Sequence, residues 1–304
     1  MIKEVLEKTD ALEEKIQALL AEEEKTEEIK VLQEEKKKLL DSCKDLEPGD
    51  RVFLARHSRR PHVEDFVSAL FTDFFEQKGD HLYDEDRSIY GGIARFHGRP
   101  VTVLGHRKGR TVEENLSCNF GMTCPEGYRK AKRLMEQAEK FDRPIITFVD
   151  TPGAYPGLEA EQHGQGEAIA KNLAFMSSLH VPVIAVVTGE GSSGGALGIC
   201  VANKILMLEN AIYSVLSPEG FATILWKDSS RAAEAAKVMK LTAKDLKEAN
   251  VADEVVPESL GGAQDDPESL YKALDQILEK ALAYYEGMSR HEIRKDRLSK
   301  FRNI

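Results

Sequence analysis

The stretch spanning residues 181–202 constrains the fold more than any other. Residues 181–187, VPVIAVV, are all apolar or proline and rich in β-branched types; TGEGSSGG follows over residues 188–195, and then the small-residue run ALGICVA. An apolar run without polar alternation suits a strand buried on both faces, and the glycine cluster predicts a sharp turn into a helix. Such a turn leaves backbone amides at a helix N-terminus. Gly194 and Gly195 carry no Cβ to shield theirs, and the positive end of the helix dipole lies behind them, so they would hold an oxyanion.

Three readings of this turn compete. In the first, glycine is simply what fits where a strand packs tightly on a helix. In the second, Gly191, Ser193 and Gly195 satisfy the G-x-S-x-G pattern of serine hydrolases. That pattern requires a histidine after the serine, and the only one is His291, inside a charged tail that reads as solvated. In the third, the backbone amides themselves stabilise an enolate or ureido anion, which needs glycines and no particular side chain.

A chain of 304 residues can bury a large core, as one domain or two. Its formal charge of -10 argues against non-specific nucleic-acid binding. No long apolar span or signal-type N-terminus is evident, which leads to the expectation of a cytoplasmic enzyme without a membrane partner. Cys43, Cys118, Cys124 and Cys200 form no C-x-x-C pair and lack matching histidines, so free thiols and no metal are expected.

Residues 1–40 are rich in Glu, Lys and Leu, with Leu12, Ile16, Leu19, Ile29, Leu32 and Leu39 in a register that slips near the EEEKTEE run. A helical hairpin packing on the body or on a partner is expected rather than one long coiled coil. Pro48, Gly49 and Asp50 read as a turn, and RHSRRP at residues 56–61 as a basic loop, near a phosphate or merely exposed. Residues 62–78, with Phe66, Val67, Leu70, Phe71, Phe74 and Phe75, read as a helix with an aromatic core face. Two strands, IARF and PVTVLGH, then form a hairpin across residues 97–100. It feeds Arg107, Lys108 and Arg110, either a grip for the phosphates of a nucleotide such as coenzyme A or a solvated loop.

A helix over residues 126–141 and the strand PIITFVD follow, the latter ending in TPGAYPG. Asp150, Thr151, Pro152 and Gly153 suggest the D-x-x-G element of GTPases, but no G-x-x-x-x-G-K-[ST] exists to cradle phosphate. His163 lies in the next loop, a candidate acid–base group or a plain polar residue, before another amphipathic helix. Residues 204–216 read as strand, Ser217 and Pro218 as the start of a helix, 231–250 as helical, and VADEVV as a last strand. A terminal helix covers 267–285, and the basic tail from Arg290 would cover a partner surface. Strands alternating with helices, glycine loops at their ends, predict an α/β fold with its site at the strand C-termini.

The motifs SIYGGIAR, GHRKGR, NFGM, PEGYRKA, PIITFVDTPGAYPG, GQGEAIAKNL, TGEGSSGGALGI and YSVLSPEG, in this order, resemble the carboxyltransferase alpha-subunit family of bacterial acetyl-coenzyme A carboxylase. The likeness covers most of residues 50–265, and LGGAQDDPE extends it. It implies a crotonase-like fold, a spiral of strand-strand-helix units, over residues 46–265, flanked by an N-terminal helical arm at 1–45 and a C-terminal helix and basic tail at 266–304. It further implies transfer of a carboxyl group from carboxybiotin, held on a biotin carboxyl carrier protein, to acetyl-CoA to give malonyl-CoA for fatty acid biosynthesis. ATP would be used only by the separate biotin carboxylase.

The resemblance also implies a zinc-ribbon beta subunit as partner in an α2β2 assembly, with the active site between the two chains. Gly194 and Gly195 would then face the ureido oxygen of biotin, with Gly191 and Ser193 beside them, and Gly153, Ala154 and Tyr155 would line the same cleft. In this chemistry the ureido anion left after carbon dioxide release is itself the base that deprotonates the acetyl methyl group, so no catalytic side chain is needed. The sequence departs from the family pattern at Gln162 and His163, where an acidic residue and an arginine are expected, which removes any ion pair assigned there by analogy. A binding scaffold, or an acyl-CoA enzyme complete in itself, are the other classes the sequence leaves open.

Overall fold

The computed structural model describes residues 2–21 and 26–303. Eight strands form one mixed sheet: β1 (Thr72–Glu76), β2 (Ile89–Phe96), β3 (Arg99–His106), β4 (Ile145–Thr151), β5 (Val183–Ser192), β6 (Lys204–Leu208), β7 (Ile212–Ser214) and β8 (Glu254–Val256). Their order is β1-β2-β3-β4-β5-β6-β8, with β7 paired to the end of β5. β1 to β3 run antiparallel through the hairpin at His97 and Gly98, whereas β3 to β6 and β8 are parallel. Parallel strands need crossovers, and the helices Pro125–Lys140 and Gln165–Ser178 supply two of them. Every residue of β4 and β5 is buried, as the apolar runs that open both strands suggest, and the burial extends over the polar residues at their ends.

Phe74 and Phe75 are not helical. The helix Val63–Leu70 ends at Phe71, whose backbone is extended, and the next residues form edge strand β1. The cause lies across the sheet. A Cβ at Gly92 would sit 2.0 Å from the Phe75 carbonyl oxygen, so only glycine there lets β1 approach β2. Pro48, Gly49 and Asp50 form the first turn of the helix Pro48–Ala55 rather than a loop, because proline costs nothing at a position whose amide has no helical partner. Residues 204–216 divide into β6 and β7, and residues 231–250 into the helices Ala232–Met239 and Ala243–Glu248, broken at Lys240 in the left-handed region.

Both chain ends fold back on the body. The helices Ile2–Ala21 and Thr26–Asp41 pack together, and Ile2 and Leu6 are buried with Leu40, Cys43 and Leu54. Lys36 joins Glu13 to Asp265 across this contact, at 2.9 and 2.7 Å. The basic tail forms the helix Arg290–Arg302, which inserts Arg297, fully buried, into the body. The Arg297 guanidinium donates to the carbonyls of Met176, Leu179 and Val181 and to Asn203 Oδ1. It thereby satisfies carbonyls left open at the end of the helix Gln165–Ser178 and pins the start of β5. Burial brings its pKa down to about 10.

Candidate active site

β5 carries the glycine segment further than its sequence suggests. The strand continues through TGEGS to Ser192, and its last residues leave β6 and pair with β7. Ser193 then turns the chain with φ at +57°, a conformation costly for a residue with a Cβ. The helix that follows, Ser193–Leu197, has only five residues, shorter than expected, so little dipole stands behind its amides. Ser192 makes no side-chain cap, and among the described residues nothing accepts from the Gly194 or Gly195 amide.

Gly195 is also glycine for reasons of space. A Cβ there would lie 2.5 Å from the Gly153 carbonyl carbon and 2.6 Å from the Ala154 nitrogen. The structure therefore brings the Gly153, Ala154 and Tyr155 loop directly against the turn. That loop is fixed by Thr151 Oγ1, which accepts from the Gly153 amide at 3.1 Å, and by Gln165, which donates to the Tyr155 carbonyl at 3.0 Å. Tight packing and open amides coexist at Gly195, so the first and third readings of the turn are compatible. Gly194 is roomier, with a Cβ position 3.7 Å from Ile169. Gly191 faces inward instead, where a Cβ would meet the Tyr213 ring at 2.9 Å.

No histidine is positioned to activate Ser193. His291 is exposed on the tail helix. His163 bonds Glu126 at 2.9 Å and stacks edge-on to Tyr83. His106, at the end of β3, is 1% exposed, and neither ring nitrogen has a hydrogen-bond partner. Burial lowers its pKa to about 4, with the Asp150 carboxylate and the Gly195 backbone opposing the shift without cancelling it. The imidazole beneath the turn is neutral at pH 7.

The predicted cations line a cleft of about 670 Å³ at the strand mouth. Each is already paired: Arg107 with Glu64, Lys108 with Asp150 at 2.6 Å, and Arg110 with Asp65 at 2.5 Å. Arg107 also lies over the Tyr90 ring, 4.5 Å from its centre. Arg87 lines the same cleft and makes no ion pair among the described residues. Sequence reading missed it because a single arginine in the DEDRS run carries no pattern. The arginines of the RHSRRP segment are paired as well: Arg56 with Glu190 and Glu219, Arg59 with Asp10, and Arg60 with buried Glu258. The four cysteines are free thiols. One group of possible metal ligands, His97, Asp275 and Glu279, sits at the hairpin turn, the opposite end of β3 from the glycine turn.

The mixed sheet, whose central strand ends in a backbone-amide turn against a second glycine loop, gives this chain a fold of the crotonase-like class. Its fold is shared with transcarboxylase 12S, at a TM-score of 0.60 and 20% identity over 80% of this chain, which spans 44% of that longer chain. It is shared also with a Pseudomonas malonate decarboxylase hetero-tetramer crystallised with coenzyme A, at a TM-score of 0.57 and 18% identity over 69% of this chain and 84% of that one. The sequence matches the family described as acetyl co-enzyme A carboxylase carboxyltransferase-like over residues 2–304. The acetyl-coenzyme A carboxylase carboxyl transferase subunit alpha of Clostridium acetobutylicum is 54% identical over 87% of this chain and 97% of its own length. That of Bacillus subtilis is 53% identical over 91% and 86%. The chain belongs to the acetyl-CoA carboxylase carboxyltransferase alpha-subunit family.

Proposed function

We propose that this chain supplies half of a site that moves a carboxyl group from carboxybiotin, carried on a biotin carboxyl carrier protein, to acetyl-CoA. The observation that carries this reading is the pair of amides at Gly194 and Gly195, unpartnered among the described residues, in a turn packed against the Gly153, Ala154 and Tyr155 loop. Biotin supplies the carboxyl group and, once that is released, the base. The chain's own part is to hold a developing oxyanion with the Gly194 and Gly195 amides, worth about 10²- to 10³-fold in rate for one such donor. The Gly153, Ala154 and Tyr155 loop and the backbone at Ser193 form the wall that orients the ring. Gly191 acts from inside the strand, letting β5 lie flat on Tyr213.

The partner is a beta-type carboxyltransferase subunit in an α2β2 assembly, working with biotin carboxylase and the carrier protein in the cytoplasm. It supplies the second anion hole, for the acetyl-CoA enolate. Because Arg107, Lys108 and Arg110 are bound to carboxylates, Arg87 is the better-placed contact for a coenzyme A phosphate.

Replacing Ser193 with glycine separates this mechanism from a serine nucleophile. The exchange removes the hydroxyl and relieves the positive φ while keeping every amide. Transfer from malonyl-CoA to free biotin, measured in the complex with the beta subunit, is expected to stay within about tenfold of wild type, whereas loss of a nucleophile costs on the order of 10⁴-fold or more. A loss of that size would sink the backbone mechanism.

A further inference from the structure

The glycine turn has to be aimed, and the sheet alone does not aim it. Up to Val149 and Val187 the ladder between β4 and β5 is regular; it resumes only at Thr151 and Gly191. Between these pairs one β4 residue, Asp150, stands opposite Thr188, Gly189 and Glu190 of β5. Across this bulge β5 gains two residues on β4, and from Glu190 to Ser192 it pairs with β7 as well, which sets the direction in which residues 193–195 leave the sheet. An amide freed by a bulge must find another acceptor.

Asp150 provides it. Its Oδ1 accepts from the Glu190 amide at 3.0 Å and from the Lys108 ammonium at 2.6 Å, and the residue is 8% exposed. Gly189 makes the approach possible, since a Cβ there would sit 2.5 Å from the same oxygen. On the far side, the Glu190 carboxylate is held by Arg56 at 2.6 and 3.0 Å, and Ser192 Oγ donates to it at 3.4 Å. A line of charges, Lys108, Asp150, Glu190 and Arg56, therefore runs across the strand ends directly beneath the turn.

We propose that Asp150, oriented by Lys108, is a positioning residue that stands in for the missing ladder bond at the β5 bulge and so fixes the angle at which the Gly194 and Gly195 amides meet their anion. The proposal rests on the carboxyltransferase reading of the turn and deepens it. It also gives Lys108 a role other than phosphate binding, because its ammonium is spent on Asp150 inside the sheet mouth.

The test is steady-state transfer from malonyl-CoA to free biotin by the complex of this chain with the beta subunit, at equal concentrations of complex verified by light scattering. Asp150→Ala removes the acceptor and is expected to lower kcat about 10²-fold with KM for malonyl-CoA within threefold. Asp150→Asn still offers an oxygen to the Glu190 amide and is expected to recover part of that loss, with kcat about tenfold below wild type. Lys108→Met should resemble Asp150→Asn, and the two combined should be no worse than roughly the poorer single variant, because they break one pair. Should Asp150→Ala fail to assemble, the asparagine, methionine and double variants decide alone. Wild-type kcat in Asp150→Asn and Lys108→Met, additive losses in the double variant, or a KM increase at constant kcat in Lys108→Met would overturn the proposal. Failure of the underlying reading is separate and shows as a wild-type complex that transfers nothing.

Discussion

Gly195→Ala is expected to lower carboxyl transfer by about 10²- to 10³-fold while leaving assembly with the beta subunit unchanged. The added methyl group would meet the Gly153 carbonyl carbon at 2.5 Å and the Ala154 nitrogen at 2.6 Å. Backbone atoms do not rotate aside as the end of a flexible side chain does, so either the turn or the 153–155 loop must move. A displacement of the order of 1 Å is enough to misplace an anion donor. Gly194→Ala is the matched control, since its methyl group has ordinary contact with Ile169 at 3.7 Å and the amide remains. Its loss is expected to stay within about tenfold, a small share of what one such donor supplies. The measurement is reverse transfer to free biotin for both variants, with assembly followed by size exclusion. Equal activities would mean that the close contact of Gly195 with the 153–155 loop does not shape the site.

Arg297→Met is expected to destabilise the chain by about 3 kcal/mol or more, since it leaves the Leu179 and Val181 carbonyls without a donor and removes a charged donor from Met176 and Asn203. The guanidinium is the only group bonding the carbonyls of Met176, Leu179 and Val181 from the tail helix, and it also bonds Asn203 Oδ1, which itself accepts from the Val183 amide at 3.1 Å. Methionine fills much of the volume but donates nothing. Denaturant unfolding of wild type and variant at neutral pH measures the difference, and a loss below about 1 kcal/mol would show that the tail helix is held by packing rather than by this residue. The consequence reaches the site. β5 is fixed at its start by Arg297 and at its end by Asp150, and the glycine turn is the outlet of that strand.

Elements dominated by local pattern were legible in the sequence. The buried runs of β4 and β5, the β2–β3 hairpin and the Ser217–Pro218 helix start all follow from periodicity, turn residues and caps. What escaped depends on partners distant in sequence. Phe74 and Phe75 continue a helical apolar stripe, and only the room left by Gly92 shows that a strand lies there. TGEGS reads as a turn because its glycines are permissive, yet it is strand, held through Asp150 and the pairing of Glu190 with Ile212. The tail from Arg290 reads as a solvated basic surface, since nothing local distinguishes Arg297 from its neighbours. The glycines of the turn stand out in the sequence, because close backbone approach, as at Gly195, leaves its mark in residue choice. The charges that aim them were not, because Asp150 and Glu190 look like ordinary polar residues at strand ends.

The central claim is that the turn is half a site, completed by another subunit. Transfer of the carboxyl group from malonyl-CoA to free biotin, measured for this chain alone, for the beta subunit alone and for the two mixed, tests it most directly. The account predicts turnover in the mixture and none above background in either chain by itself. Turnover by this chain alone would contradict it, and would mean that every group the reaction needs lies within these residues.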